Sequence, residues 1–188
     1  MNEEQFKRSA ALLSNFKTRS EITLEEIPAP QKLAKFAYAL SADVSNGLIG
    51  EAEAELANGR FVILHEPGGQ DTWEGEFRCV TFLSADLETT EAEDPSLPEH
   101  GWTWLLKALQ DNRCQIAAPS GTVTRSISHS FGKLSTASDG GEIEIRASWT
   151  AIIKSGEELV AHLEAWCNLL AEISYLMPVP DGVASFRR

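Results

Sequence analysis

Apolar positions recur at two periods along this chain, and the two periods divide it into helices and strands. Phe6, Ala10, Leu13 and Phe16 keep a helical spacing, which predicts a first helix over residues 3–17. Asn2 is placed to cap it, and Gln5, three residues on, to reach back, the arrangement of a capping box. Ile27-Pro28-Ala29-Pro30 ends any regular element, because proline removes donors and forces extended backbone. Strict alternation follows. Phe36, Tyr38, Leu40, Ala42 and Val44 predict a strand over 36–44, with a short helix over 31–39 as its rival. Residues 51–56 alternate acidic with small or apolar side chains, the pattern of an edge strand guarded by charge. Asn58-Gly59 reads as a tight hairpin. Residues 60–65 and 77–83 read as strands on either side of a turn at Pro67-Gly68-Gly69-Gln70-Asp71.

The second half repeats the alternation between periods. Residues 88–95 form an acidic loop. Ser96-Leu97-Pro98-Glu99 signals a helix start with a hydroxyl cap and an early proline, and Trp102, Leu105, Leu106 and Leu109 give that helix its apolar stripe. Over 121–131, Val123, Arg125, Ile127, His129 and Phe131 share one face of a strand, while Thr122, Thr124, Ser126, Ser128 and Ser130 take the other. Asp139-Gly140-Gly141 reads as a hairpin turn into a partner strand over 142–152, whose apolar face is Ile143, Ile145, Ala147 and Trp149. Ser155-Gly156-Glu157-Glu158 reads as a second capping box. It opens a helix striped by Leu159, Leu163, Trp166, Leu170 and Ile173 and stopped by Pro178-Val179-Pro180. The expected fold class is α+β: a mostly antiparallel sheet in αβββαββα order with the helices packed on one face. One domain is expected over 1–177, with a short frayed tail over 178–188.

Composition narrows the function classes. The 188 residues are 43% hydrophobic and 23% charged, ordinary values for a chain that folds without staples. Acidic residues outnumber basic ones 28 to 16, for a net charge of −12. A field of that sign repels phosphate backbones and anionic lipid, so neither nucleic acid nor membrane is an expected partner. Cys79, Cys114 and Cys167 are few, odd in number and far apart, which fits a reducing compartment rather than a disulfide framework. The acidic N-terminus has no apolar run behind it, and no stretch of about 18 apolar residues occurs, so a cytoplasmic location is expected.

Several runs carry a family resemblance. They are Leu24-Glu25-Glu26-Ile27-Pro28-Ala29-Pro30-Gln31, Gly101-Trp102-Thr103-Trp104-Leu105, Gly121-Thr122-Val123-Thr124-Arg125, Glu144-Ile145-Arg146-Ala147-Ser148-Trp149-Thr150 and His162-Leu163-Glu164-Ala165-Trp166. Together they resemble an actinobacterial domain-of-unknown-function family, number three thousand, from Phe6 to about Leu170. The resemblance implies a bacterial cytoplasmic protein and brings no catalytic residue with it. The element order is also similar to that of type III secretion chaperones, which are acidic, often dimeric, and bind polypeptides. That likeness rests on topology, and topology alone does not assign function.

Candidate chemistry is sparse. His65, His100, His129 and His162 show no metal-ligand spacing, and a composite site from His65 and His129 is the one arrangement the strands leave open. Gly68-Gly69 belongs to no phosphate-binding pattern, and no cofactor is expected. The acidic pairs fall at helix starts and in loops, where solvent and the helix dipole favour them. Arg125 stands out, because a cation among Val123, Ile127 and Phe131 must be paired or bind an anion. Arg125, His129 and, depending on strand register, Arg146 are therefore the candidate ligand-binding residues, weighed against a structural ion pair. Trp104 lies off its helix stripe and Trp73 in a hairpin loop, which makes both candidates for partner contact. The favoured expectation is a non-enzymatic, chaperone-like adaptor that recognises a polypeptide partner or pairs as a homodimer. The alternative is an enzyme or small-molecule sensor with an anionic ligand near Arg125 and His129.

Overall fold

A computed structural model describes residues 1–48, 54–134 and 140–176. The elements are α1 (Glu3–Ser14), β1 (Ile22–Glu26), β2 (Phe36–Ser45), β3 (Glu55–Gln70), β4 (Gly75–Leu87), α2 (Thr89–Ala92), α3 (Leu97–Asp111), β5 (Ile116–Ser128), β6 (Gly140–Ala151) and α4 (Leu159–Ile173). The class is α+β, as the periodicity predicts, with four helices and one open six-stranded sheet among the described residues. Its strands run β1-β2-β3-β4-β6-β5, every neighbour antiparallel. The element order αββββααββα adds one strand and one short helix to the expected αβββαββα.

The additions and shifts have local causes. α1 starts on the predicted capping box, with both reciprocal bonds between Asn2 and Gln5 at 2.9 Å. It stops three residues early, where the Asn15 side chain donates to the Ala11 carbonyl at 2.7 Å. β1 is new, and α2 lies inside the predicted acidic loop. Ser96 precedes α3 but does not cap it; its hydroxyl donates to Asp94 at 2.6 Å. Ser155 makes no cap bond either. A 3-10 turn over Gly156–Glu158 leads into α4, and the Glu158 carboxylate accepts from the Lys154 backbone N–H at 3.2 Å. Residues 51–53, Asp139 and the 178–180 stop lie outside the described residues.

Two glycine turns are corrected. Asn58-Gly59 is no hairpin but the interior of β3, with Asn58 opposite Asp43 and Gly59 opposite Ala42. Gly59 serves close approach instead: a Cβ there would stand 2.9 Å from the Trp166 ring and 3.0 Å from the Phe82 carbonyl oxygen. Gly140 and Gly141 likewise pair inside the sheet, with Ser128 and Ile127. Gly59→Ala is expected to cost about 1–3 kcal/mol through overpacking. Gly140→Ala, where a Cβ meets nothing within 4 Å, should cost less in the same urea titration; equal midpoints would contradict this packing.

All the helices lie on one face of the sheet. Gly101 of α3 meets Ile143, Val123 and Ile145, Trp166 of α4 lies over Gly59, and Ala92 of α2 touches Gly141. Phe6 of α1 lies 6.0 Å from His65 and 5.6 Å from Phe36, ring to ring. Between helices and sheet, Phe61 stands 5.4 Å from Trp166 and 6.0 Å from Trp149, at the centre of the core.

Candidate binding face of the sheet

The register fixes what the opposite face presents. Side chains alternate across a strand, so the partners of helix-facing residues are excluded, and the rest line up in rows across the strands. One row reads Ser41, Arg60, Phe82, Arg146 and Thr122 from β2 to β5. The next reads Ala39, Val62, Val80, Ser148 and Ser120. On the far side come Asp43, Asn58, Ser84, Glu144 and Thr124. No helix covers these rows among the described residues. Val62, Val80 and Phe82 stay half-buried, while Arg60 and Arg146 are exposed.

Arg60 and Arg146 are the exposed cations of these rows, next to a row that carries Asp43 and Glu144. Arg146 lies over the Phe82 ring, 5.5 Å from its centroid, and pairs with Glu144 through two contacts of 3.1 Å. Arg60 flanks Phe82 on the other side, with no carboxylate within 4.0 Å among the described residues. Strand spacing sets Arg60 and Arg146 about 10 Å apart at the backbone. Glu25 stands at the far end of the row, opposite Ser41.

Arg78, which the sequence reading passed over, anchors the end of the face. It is 8% exposed and donates to the Ala118 carbonyl at 2.8 Å, Thr150 at 3.2 Å, Ser120 at 3.1 Å and Ser148 at 2.7 Å. Every one of these acceptors is neutral. Burial lowers the guanidinium pKa from its ordinary value, with the Cys79 thiol and the Glu74 carboxylate opposing. Its bonds tie the bulge of β5, where Ala118 has φ 45°, to β4 and β6. Thr150 in turn donates to the Trp73 carbonyl, which folds the tip of the β3–β4 hairpin over this end of the face.

The candidates from sequence do not converge. Arg125 faces the helices, opposite Ile143, and donates to the Ala92 carbonyl at 2.6 Å. Its partner is therefore the end of α2 rather than an acidic side chain, with Asp94 close enough to feel its charge. Arg146 lies on the opposite face from Arg125, so the two cannot hold one ligand. His129 is exposed beyond the end of β5. His65, on β3 with β4 and β6 intervening, is fully buried against Phe77 with ring centroids 4.2 Å apart. Trp73 is buried, and Trp104 is half-buried against the core with its ring 6.2 Å from His100. Neither presents an exposed indole.

Other chemistry is poorly supplied. Burial pushes the Cys114 and Cys167 thiols up to about 12, and Cys79 higher still, so none is a thiolate at neutral pH. No group of three or more metal-ligating side chains occurs among the described residues. A cleft of about 480 Å³ lies between α1 and the turn before α4, lined by Arg8, Ser9, Glu76, Lys154, Ser155 and Glu157 among others. Its lining carries cations at Arg8, Lys154 and the Met1 ammonium, which lies 3.9 Å from Glu76, and carboxylates at Glu76 and Glu157. No helix of the described residues is long and apolar enough to cross a membrane.

Sheet, helix layer and helix-free face define, among the described residues, an α+β protein built as a single antiparallel sheet with helices on one side. The chain belongs to the family described as Protein of unknown function (DUF3000), whose model matches residues 2–184. No curated protein and no solved structure matches it significantly.

Proposed function

We propose that the protein is a non-enzymatic binding module that takes an extended polypeptide on the helix-free face of its sheet. The supporting observation is the row Arg60, Phe82, Arg146: a half-buried aromatic ring between two exposed guanidiniums, on a chain of net charge −12. Aromatic and arginine side chains dominate protein recognition energetics, and arginine matches carboxylates in a planar fork. The fitting partner carries carboxylates on either side of an apolar side chain. Val62 and Val80 extend the apolar strip beside Phe82. The reading agrees with the chaperone-like expectation from element order and with a cytoplasmic, soluble role. A small anionic ligand at Arg125 and His129 is less favoured, because Arg125 already serves the end of α2.

A fluorescein-labelled peptide repeating Glu-Ser-Leu-Ser-Glu serves as the probe, with the same peptide carrying lysine for glutamate as control. Anisotropy should report binding of the first and not the second. Arg60→Glu with Arg146→Glu should weaken it by about 30-fold or more, and added salt should weaken it further. Equal binding of both peptides, or an unchanged affinity in the double variant, removes the reading.

A further inference from the structure

The two edges of the sheet are defended unequally. β1 is five residues long, ends in Glu25 and Glu26, and runs toward Pro28 and Pro30. Short length, charge and proline are what keep an edge from pairing with other chains. β5, at the opposite edge, is thirteen residues long. Past its bulge, residues 120–128 hold a single charge, Arg125, and no proline. Among the described residues this stretch pairs with β6 on one side and with no strand on the other.

An apolar ledge overhangs the same edge. Gly101 turns one side of α3 down onto Val123, Ile143 and Ile145. Trp104 and Ala108 turn a second side toward Asn168 and Glu172 of α4. With 3.6 residues per turn, Trp102 and Leu106 fall on the side away from α4. Because α4 packs over β3 while α3 packs over β5 and β6, that side points past β5. Both residues are half-buried, and Leu106 stands outside the core cluster.

We infer that β5 is the interface with a second copy of this chain, paired antiparallel about a two-fold axis at Thr124. The axis follows from the regular stretch 120–128, whose midpoint is Thr124. Ser120 then meets Ser128 of the other copy, Thr122 meets Ser126, and Thr124 meets itself. Hydroxyl pairs of this kind stabilise neighbouring strands, whereas like charges facing each other would not. Arg125 falls opposite Val123, so no like charges oppose. A copy satisfies these conditions through its own symmetry, whereas an acidic strand would meet only one cation here. A strand edge alone is narrow beside the roughly 1,200–2,000 Å² that a stable interface buries. Trp102 and Leu106 of both copies widen it on the helix side. The result is one twelve-stranded sheet with both helix-free faces on the same side. This inference rests on the edge and not on the peptide-binding reading, so either can fail without the other.

Two chains of charge −12 repel, so their association should tighten as salt rises, the reverse of the peptide interaction. Sedimentation of the full chain at about 100 μM in low and high salt should give twice 20.6 kDa, with more dimer in high salt. Thr124→Asp sets two carboxylates against each other at the axis. The new carboxylate also faces Glu144 of its own chain, which lowers monomer stability, but Thr124 is exposed, so the chain should fold with an unchanged circular dichroism spectrum and sediment as a monomer. In a Cys114→Ser background, which removes the half-buried thiol, Thr124→Cys should become a crosslinked dimer with a short bis-maleimide, while Cys114→Ser alone, with Cys79 and Cys167 buried, should not. A monomer at every salt concentration overturns the inference. So does a dimer that survives Thr124→Asp and fails to crosslink through the Thr124→Cys variant.

Discussion

Cutting Trp149 back to alanine is expected to destabilise the protein by about 3–5 kcal/mol, the usual cost of emptying a large buried aromatic site. Trp149 is 1% exposed on β6, between Phe61 of β3 and His162 of α4, so its ring joins the sheet to the helix layer. Its indole N–H also donates to His162 Nδ1 at 3.1 Å. Trp149→Phe keeps most of the ring but leaves that nitrogen without a donor, and should cost roughly 1–3 kcal/mol. Urea denaturation followed by circular dichroism orders the two variants. A loss below about 1 kcal/mol for Trp149→Ala would place this residue outside the core.

Acidification gives the second large effect. Burial holds His162 down to about 4, against an ordinary 6.5, while Glu158 pulls weakly the other way. The folded state therefore resists a proton that the unfolded chain accepts between pH 6.5 and 4. The stabilisation is complete above pH 6.5 and is lost as pH falls toward 4, amounting to about 3 kcal/mol over the whole window. Glu21, held at about 2 chiefly by its bond from Arg19, acts only below about 4.5, so the range 6.5–4.5 isolates the histidine. His162→Asn can still offer an oxygen to the Trp149 N–H and should flatten the stability profile in that range. A slope that persists in the variant would assign it to another group.

The long, periodic elements were legible because burial dictates their pattern. The stripe Leu159, Leu163, Trp166, Leu170 and Ile173 is buried throughout, as is the Ile143, Ile145, Ala147 and Trp149 face of β6. β1 was not legible, since five residues with two terminal glutamates offer only Ile22 and Leu24 as a period. Asn58-Gly59 misled because a glycine that a turn needs and a glycine that a tryptophan crowds look identical in sequence. Ser96 and Ser155 misled because Asp94 and Glu158 took over the local hydrogen bonding.

The candidate face was harder to read than the fold. Arg60, Phe82 and Arg146 are 86 residues apart from first to last and meet only through the register of β3, β4 and β6. Arg146 was singled out, but its face depended on that register. Arg78 carried a signal that could have been weighed, a cation inside the run Phe77-Arg78-Cys79-Val80 of a buried strand. Arg125 carried the same signal and proved to bind a helix end.

The most direct test of the proposed function is a backbone amide NMR titration of the protein with the Glu-Ser-Leu-Ser-Glu peptide. Shifts concentrated at Arg60, Val62, Val80, Phe82 and Arg146, and lost in the Arg60→Glu, Arg146→Glu variant, are the expected result. Shifts confined to the α1–α4 cleft around Arg8 and Lys154, or no shifts at saturating peptide, would contradict it.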